Sequence, residues 1–271
     1  MAVERGADAY LFSSAWERER ARLTALEAIY DPITVPHLTA LGVGPGWRCL
    51  EVGGGAGSIA RWLAASGASV RVTDVDVRFL EEAGAGRVEA LRHDVRTDPI
   101  EEGAFDLVHA RALLEHLAER DEVVPRLASA LRPGGVLLVE DLTFGGATAT
   151  AFEASAVPPE LGPLVTTVQN AVAAGYRAIG ADPQFGVRLP GCLVAAGLAD
   201  VEASVCIPLV RGGTRAAEFY LLGMEQVGPR LIAAGLCSAE DLERTAAHFR
   251  DPEARWPSLA LVSAWGRRLA A

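Results

Sequence analysis

Residues 48–58 read Arg-Cys-Leu-Glu-Val-Gly-Gly-Gly-Ala-Gly-Ser, an apolar run closing on an acid and followed by four glycines in five positions. Without a Cβ, such a turn brings backbone close to a ligand at the start of a helix. The spacing Gly53-x-Gly55-x-Gly57 is not the dinucleotide fingerprint, because a third spaced glycine would fall at position 58, which is Ser58. Glu51, two residues ahead of the first glycine, would repel a pyrophosphate but tolerate a cationic amino acid group. Two further acids follow. Asp74, in Val-Thr-Asp-Val-Asp over residues 72–76, is placed to accept hydrogen bonds from both hydroxyls of a ribose. Asp94, in Arg-His-Asp-Val over residues 92–95, can accept from an adenine amino group while Val95 packs on the ring.

Proton-transfer candidates cluster in His-Ala-Arg-Ala-Leu-Leu-Glu-His-Leu over residues 109–117. His109 ends an apolar run, and His116 lies on the helix expected after it. Glu115 and His116 are neighbours on that helix and diverge by about 100°, so at most one of them points straight at a reacting group. His37, His93 and His248 are less well placed, and Tyr176 and Trp256 are further candidates from less regular regions. Histidines and carboxylates show no metal-binding spacing, so no metal is expected. The four cysteines, Cys49, Cys192, Cys206 and Cys237, form neither a CxxC nor a paired cluster and read as reduced core thiols.

The elements that must carry these residues follow from periodicity. Apolar runs at residues 48–52, 69–73, 88–92, 105–110 and 136–140 alternate with helical stretches at 58–65, 77–83, 113–118 and 122–131, the last closed by Arg-Pro-Gly-Gly at 132–135. That rhythm predicts an α/β, Rossmann-like, doubly wound and mostly parallel sheet, with ligands at the carboxyl ends of its strands. Ahead of it, residues 10–30 predict an amphipathic helix that Asp31-Pro32 ends, with a second short helix over 35–41. Residues 159–175 and 189–197 read as helices, 201–210 as a strand, 214–250 as helical and 258–265 as a last strand, expected antiparallel. The domain reading is a helical cap over 1–46 and a core over 47–271, with insertions at about 142–188 and 212–250.

Over roughly residues 47–141 the order and spacing of these motifs resemble the class I S-adenosylmethionine-dependent methyltransferases, particularly bacterial small-molecule members of specialised metabolism. Phe-Asp-Leu-Val at 105–108 and Leu-Arg-Pro-Gly-Gly at 131–135 are similar to the later motifs of that family. The resemblance implies S-adenosylmethionine as cofactor, with Glu51, Gly53, Gly55 and Gly57 at its methionine end. It places Asp74 at the ribose, Asp94 and Val95 at the adenine, and His109, Ala110 and Arg111 on the sulfonium side, with Val75 also among the cofactor-binding residues. Trp16 and Arg20 resemble the N-terminal helix that small-molecule members fold over the cofactor, Trp16 as an apolar cover and Arg20 reaching its carboxylate.

The implied reaction is methyl transfer to an O, N or C atom of a small metabolite, with His116, His109 and Glu115 as candidates for any base. Apolar residues in the insertions, including Phe144, Phe152, Leu161, Phe219 and Tyr220, suggest an apolar or aromatic acceptor. Two other readings remain open: a binding protein that keeps the cofactor pocket without transfer, and a nicotinamide-dependent oxidoreductase, which the glycine spacing and Glu51 disfavour. A net charge of −10 with dispersed arginines argues against nucleic acid. No lysine is present among the 25 basic residues, which excludes Schiff-base and P-loop lysine chemistry. Neither a signal-peptide core nor a membrane-length apolar run occurs, so a cytoplasmic protein is expected, with homo-oligomerisation left open.

Overall fold

A computed structural model describes residues 11–12, 16–80, 86 and 88–270. They fall into two compact units, one within Tyr30–Leu142, Gln184–Cys206 and Leu261–Ala271, the other within Met1–Ile29, Thr143–Pro183 and Ile207–Ala260.

The first unit is built on a seven-stranded sheet in the order β3-β2-β1-β4-β5-β9-β6. Its strands are β1 (Arg48–Val52), β2 (Ser69–Asp74), β3 (Val88–Arg92), β4 (Phe105–Arg111), β5 (Leu131–Thr143), β6 (Ala199–Cys206) and β9 (Ala260–Arg267). Strands β3, β2, β1, β4 and β5 are parallel neighbours. The last strand, β9, slots between β5 and β6 and runs antiparallel to β6. Every residue of β4 but the last is buried, as expected of a central strand covered on both faces.

Because side chains alternate along a strand, each strand feeds two cores. Leu50, Val52, Val108, Ala110, Leu137 and Val139 point to one face, where α3 (Arg120–Ala130) and α6 (Leu189–Ala195) bring Val123, Leu127, Leu189 and Leu193. Cys49, Leu107, Val136 and Leu138 point to the other, covered by Ile59, Ala60 and Leu63 of α2 (Ser58–Ala65) and by Leu38 of α1 (Glu19–Ala40). Glu51, His109 and Glu140 share the parity of this second set, so the pleat turns three ionisable groups toward an apolar layer.

Helix α1 departs from the sequence expectation. One 22-residue helix replaces two, with Pro32 and Pro36 inside it. An interior proline costs roughly 3 kcal/mol of helix stability, and side chains on either side of Pro32 supply the offset: Thr34 and Leu38 are fully buried, and Asp31 is hydrogen-bonded by Ser58 and Arg111. Two expected helices are instead short 3-10 turns, Val77–Phe79 and Leu114–His116. Residues 81–83 of the first lie outside the described residues.

The second unit packs α4 (Gly146–Phe152), α5 (Leu161–Ala178), α7 (Arg215–Ala233) and α8 (Ala239–Arg250) with an antiparallel pair, β7 (Leu209–Arg211) and β8 (Arg255–Pro257). The expected helical stretch 214–250 is thus two helices, the second opened by a Ser238–Asp241 capping box. Phe249 stacks on Trp256 at 4.0 Å between ring centroids, within a cluster that includes Leu161, Val165 and Ala217. No described helix is long and apolar enough to cross a membrane.

Candidate functional site

The glycine turn follows β1 at the carboxyl edge of the sheet. The N–H groups of Gly53 and Gly54 both donate to the Thr73 carbonyl, at 2.8 and 3.1 Å, and the Gly55 N–H donates to Asp74 Oδ2 at 3.1 Å. A pyrophosphate cradle needs such N–H groups turned outward. Here three of them bind the turn to β2. Gly54 is a glycine for a packing reason, since a Cβ there would lie 2.2 Å from Val72 Cγ2. Gly57, at φ 83°, caps α2 in the left-handed region.

Asp74 ends β2 half-buried. Burial raises its carboxyl pKa, opposed by hydrogen bonds from the Asp76 and Gly55 N–H groups. The carboxylate accepts the Asp76 N–H on Oδ1 and the Gly55 N–H on Oδ2, and the Val75 N–H adds to them. Val75, next along, is 54 % exposed and offers an apolar platform beside it. Asp94, after β3, is gripped by Arg96 through Nε at 2.9 Å and Nη2 at 2.7 Å, and that pairing holds its carboxyl below the usual range. Val95 is buried in the sheet core with Leu50 and Val108. The sequence expectation that it packs on a ligand ring is therefore corrected, because its side chain is turned inward.

Glu51 and His109 are register partners across β1 and β4. His109 is wholly buried: Nδ1 donates to Glu51 Oε2 at 2.6 Å, and Nε2 faces Glu140 Oε2 at 3.4 Å. Burial pulls the imidazole pKa down, but Glu51, aided by hydrogen bonds to Glu140 and Glu51, raises it to about 9. Glu140 also accepts from Thr34, from His37 Nδ1 at 3.2 Å and from Ser263 at 2.7 Å. Burial would raise its carboxyl pKa, and His109 and His37 hold it well below the carboxylate range instead. Arg111 donates to Thr34 at 2.8 Å and to Asp31 at 2.7 Å, and Ser58, first residue of α2, donates to Asp31 at 3.0 Å.

These positions correct three expectations. His109, with both nitrogens committed to carboxylates, has none left for a bound acceptor. Arg111 is taken up by α1, and Ala110 is fully buried in the core on the opposite face. The network also contains residues that sequence reasoning had not assigned: Asp31, Thr34, Glu140 and Ser263. One signal for Glu140 was available, an acid pair ending an otherwise apolar β5 run.

Glu115 and His116 sit on the 3-10 turn after β4. Glu115 is fully buried and accepts from the Leu142 N–H, while its Oε1 lies 3.5 Å from His116 Nε2. The two side chains therefore meet instead of diverging. Beside them Asp141, fully buried, accepts from the Leu113 N–H at 3.0 Å, and burial raises its carboxyl to about 7 despite hydrogen bonds from the turn. Trp16 and Arg20 belong to the other unit. Trp16 is half-buried beneath the Arg18 guanidinium, 5.9 Å from the ring centroid, and Arg20 is exposed at the start of α1.

Acids at the ends of β1 and β2 and just after β3, around a turn whose N–H groups are largely spent, suit a nucleoside bearing positive charge better than one bearing phosphates. The donor set fits S-adenosylmethionine on that ground.

Residues 50–137 match a family profile described as "Methyltransferase domain". The methyltransferase GfsG of Streptomyces halstedii is 36% identical over 115 residues, covering 39% of this chain and 41% of that protein. The ubiquinone biosynthesis O-methyltransferase of Xanthomonas campestris pv. campestris is 29% identical over 137 residues, 48% of this chain and 56% of that one. Methyltransferase str2 of Strobilurus tenacellus is 28% identical over 203 residues, 72% and 69%. The chain thus spans about half the length of the first relatives it matches. Among solved structures, the fold is shared with phosphoethanolamine N-methyltransferase 2 of Haemonchus contortus, at TM-score 0.56, 17% identity and coverage of 92% and 57%. It is shared too with the YcgJ protein of Bacillus subtilis, at TM-score 0.58, 13% identity and coverage of 88% and 98%.

Proposed function

We propose that this chain, whose residues 50–137 match a methyltransferase-domain profile, uses S-adenosylmethionine to methylate an O, N or C atom of a small apolar or aromatic metabolite in bacterial specialised metabolism. The observation that carries the reading is the set of acids Glu51, Asp74 and Asp94 around a glycine turn that has few N–H groups left for phosphate. Relatives named as methyltransferases, one of ubiquinone biosynthesis, support a small-molecule acceptor.

In this reading Glu51 receives the ammonium of the methionine end, along which Gly53, Gly55 and Gly57 run. Asp74 accepts the ribose hydroxyls, Val75 covers the nucleoside and Asp94 accepts from the adenine amino group. When bound, S-adenosylmethionine supplies an electrophilic methyl group on a cationic sulfur. What the chain then contributes is mostly alignment of the acceptor in a water-poor pocket, since in-line displacement gains most of its rate from proximity and orientation. For an acceptor that must lose a proton, His116 is the base candidate, with Glu115 behind its Nε2.

Titration calorimetry tests the cofactor. Binding of S-adenosylhomocysteine without a response to NAD is expected, and binding of NAD alone refutes the reading. Transfer of radiolabelled methyl from S-adenosylmethionine into small-molecule extracts tests the reaction, and cofactor binding with no transfer to any extract leaves a binding protein.

A further inference from the structure

Glu51, His109 and Glu140 form a line of alternating charge inside the sheet layer, and an acid-binding imidazole of this kind is more than filling. A neutral imidazole has one N–H, so placed between two carboxylates it would aim its other lone pair at an anion. Only the doubly protonated ring satisfies both neighbours. The rear carboxylate is immobile: Glu140 is fully buried and takes donors from α1, β4 and β9, namely Thr34, His37, His109 and Ser263. The front carboxylate is tied on one side only. Glu51 Oε2 takes the His109 proton at 2.6 Å, and Oε1 has no hydrogen-bond partner among the described residues. Beyond Glu140, His37 reaches the Ser204 hydroxyl through Nε2 at 3.1 Å, so the donors crowd the rear of the line and the open oxygen is on Glu51.

We propose that His109 is a positioning residue: clamped between Glu51 and Glu140, it fixes the Glu51 carboxylate through Oε2, with its free oxygen presented to the cationic amino group of the bound cofactor. The inference rests on the cofactor reading above and adds to it the group that keeps the Glu51 charge in place. Without the ring, Glu51 loses the hydrogen bond that fixes its carboxylate and faces Glu140 with no cation between them, while Asp74 and Val75, on β2 and just beyond it, are untouched.

The test compares two thioethers with one adenosine head. S-adenosylhomocysteine carries the amino acid tail, and 5′-methylthioadenosine lacks it. In the full chain, His109→Gln is expected to weaken S-adenosylhomocysteine about tenfold or more, the scale of one charge-assisted contact, and to change 5′-methylthioadenosine by less than about twofold. Equal weakening of both overturns the proposal in favour of a packing role, as does no change in either. A wild-type chain that binds neither thioether overturns the cofactor reading beneath it. Should the variant fail to fold, nitrogen-15 NMR of the wild type decides. One imidazole doubly protonated at pH 8 supports the clamp, and five neutral rings overturn it.

Discussion

The stability of the sheet unit should depend on pH through His109 in a window where few other groups titrate. An imidazole at about 9 in the folded chain and near its ordinary 6.5 when unfolded stabilises the fold fully below pH 6.5, and this contribution is lost as pH rises through 9. At about 1.4 kcal/mol per pKa unit, the difference amounts to roughly 3 kcal/mol at low pH, about 2 kcal/mol at pH 7.5 and well below about 1 kcal/mol at pH 9. Asp141, raised to about 7, loses most of its own pH dependence by pH 7.5. Cys49, pushed up to about 12 by burial, begins to matter near pH 9 because the unfolded thiol ionises there. Urea unfolding followed by tryptophan fluorescence on wild type and His109→Gln at the same pH values cancels the cysteine contribution. The stability gap between the two proteins should shrink by about 1–2 kcal/mol from pH 7.5 to 9. A gap that stays constant over that interval means the ring is not charged in the folded chain, and the argument from the two carboxylates fails.

Other outcomes follow from the same geometry. Asp74→Ala should weaken S-adenosylhomocysteine by about 1–3 kcal/mol in calorimetry through lost hydrogen bonds, and unchanged affinity removes the ribose role. Gly54→Ala drives a methyl into Val72 and should cost about 1–3 kcal/mol in thermal unfolding, with partial recovery in the double variant with Val72→Ala. No recovery would mean the Val72 approach is not what demands glycine. Asp141 buries Oδ2 without a hydrogen-bond partner among the described residues. Its raised pKa means wild-type stability falls as pH rises through about 7, so Asp141→Asn should gain on wild type between pH 5 and 8. Parallel unfolding curves across that range would contradict it. His116→Gln should cut turnover while sparing S-adenosylhomocysteine affinity if the ring takes the acceptor proton, and equal turnover removes that role.

Much of the site was legible along the chain because strand-end chemistry is local. Apolar alternation located β1 to β4, and the glycine run and the acids at 51, 74 and 94 mark strand ends whatever lies across the sheet. Boundaries failed where long-range contacts overrode local preference. Asp31-Pro32 signals a helix end, yet α1 continues because Asp31 and Thr34 are claimed by Ser58, Arg111 and Glu140. Val95 and Val75 are equivalent as sequence, each an apolar residue after an acid, and burial alone tells them apart.

The opposite fates of His109 and His116 show the division most clearly. Sequence determines that His109 lies on a strand one residue from Ala110, so the two must face opposite ways. It also determines that Glu51 shares parity with Cys49, and Glu140 with Leu138. Whether Glu51 stands opposite His109 is a matter of register between strands 58 residues apart, set by packing over the whole sheet. Side-chain period is a property of one strand and can be read from it, whereas register belongs to a pair of strands and exists only once the chain has folded.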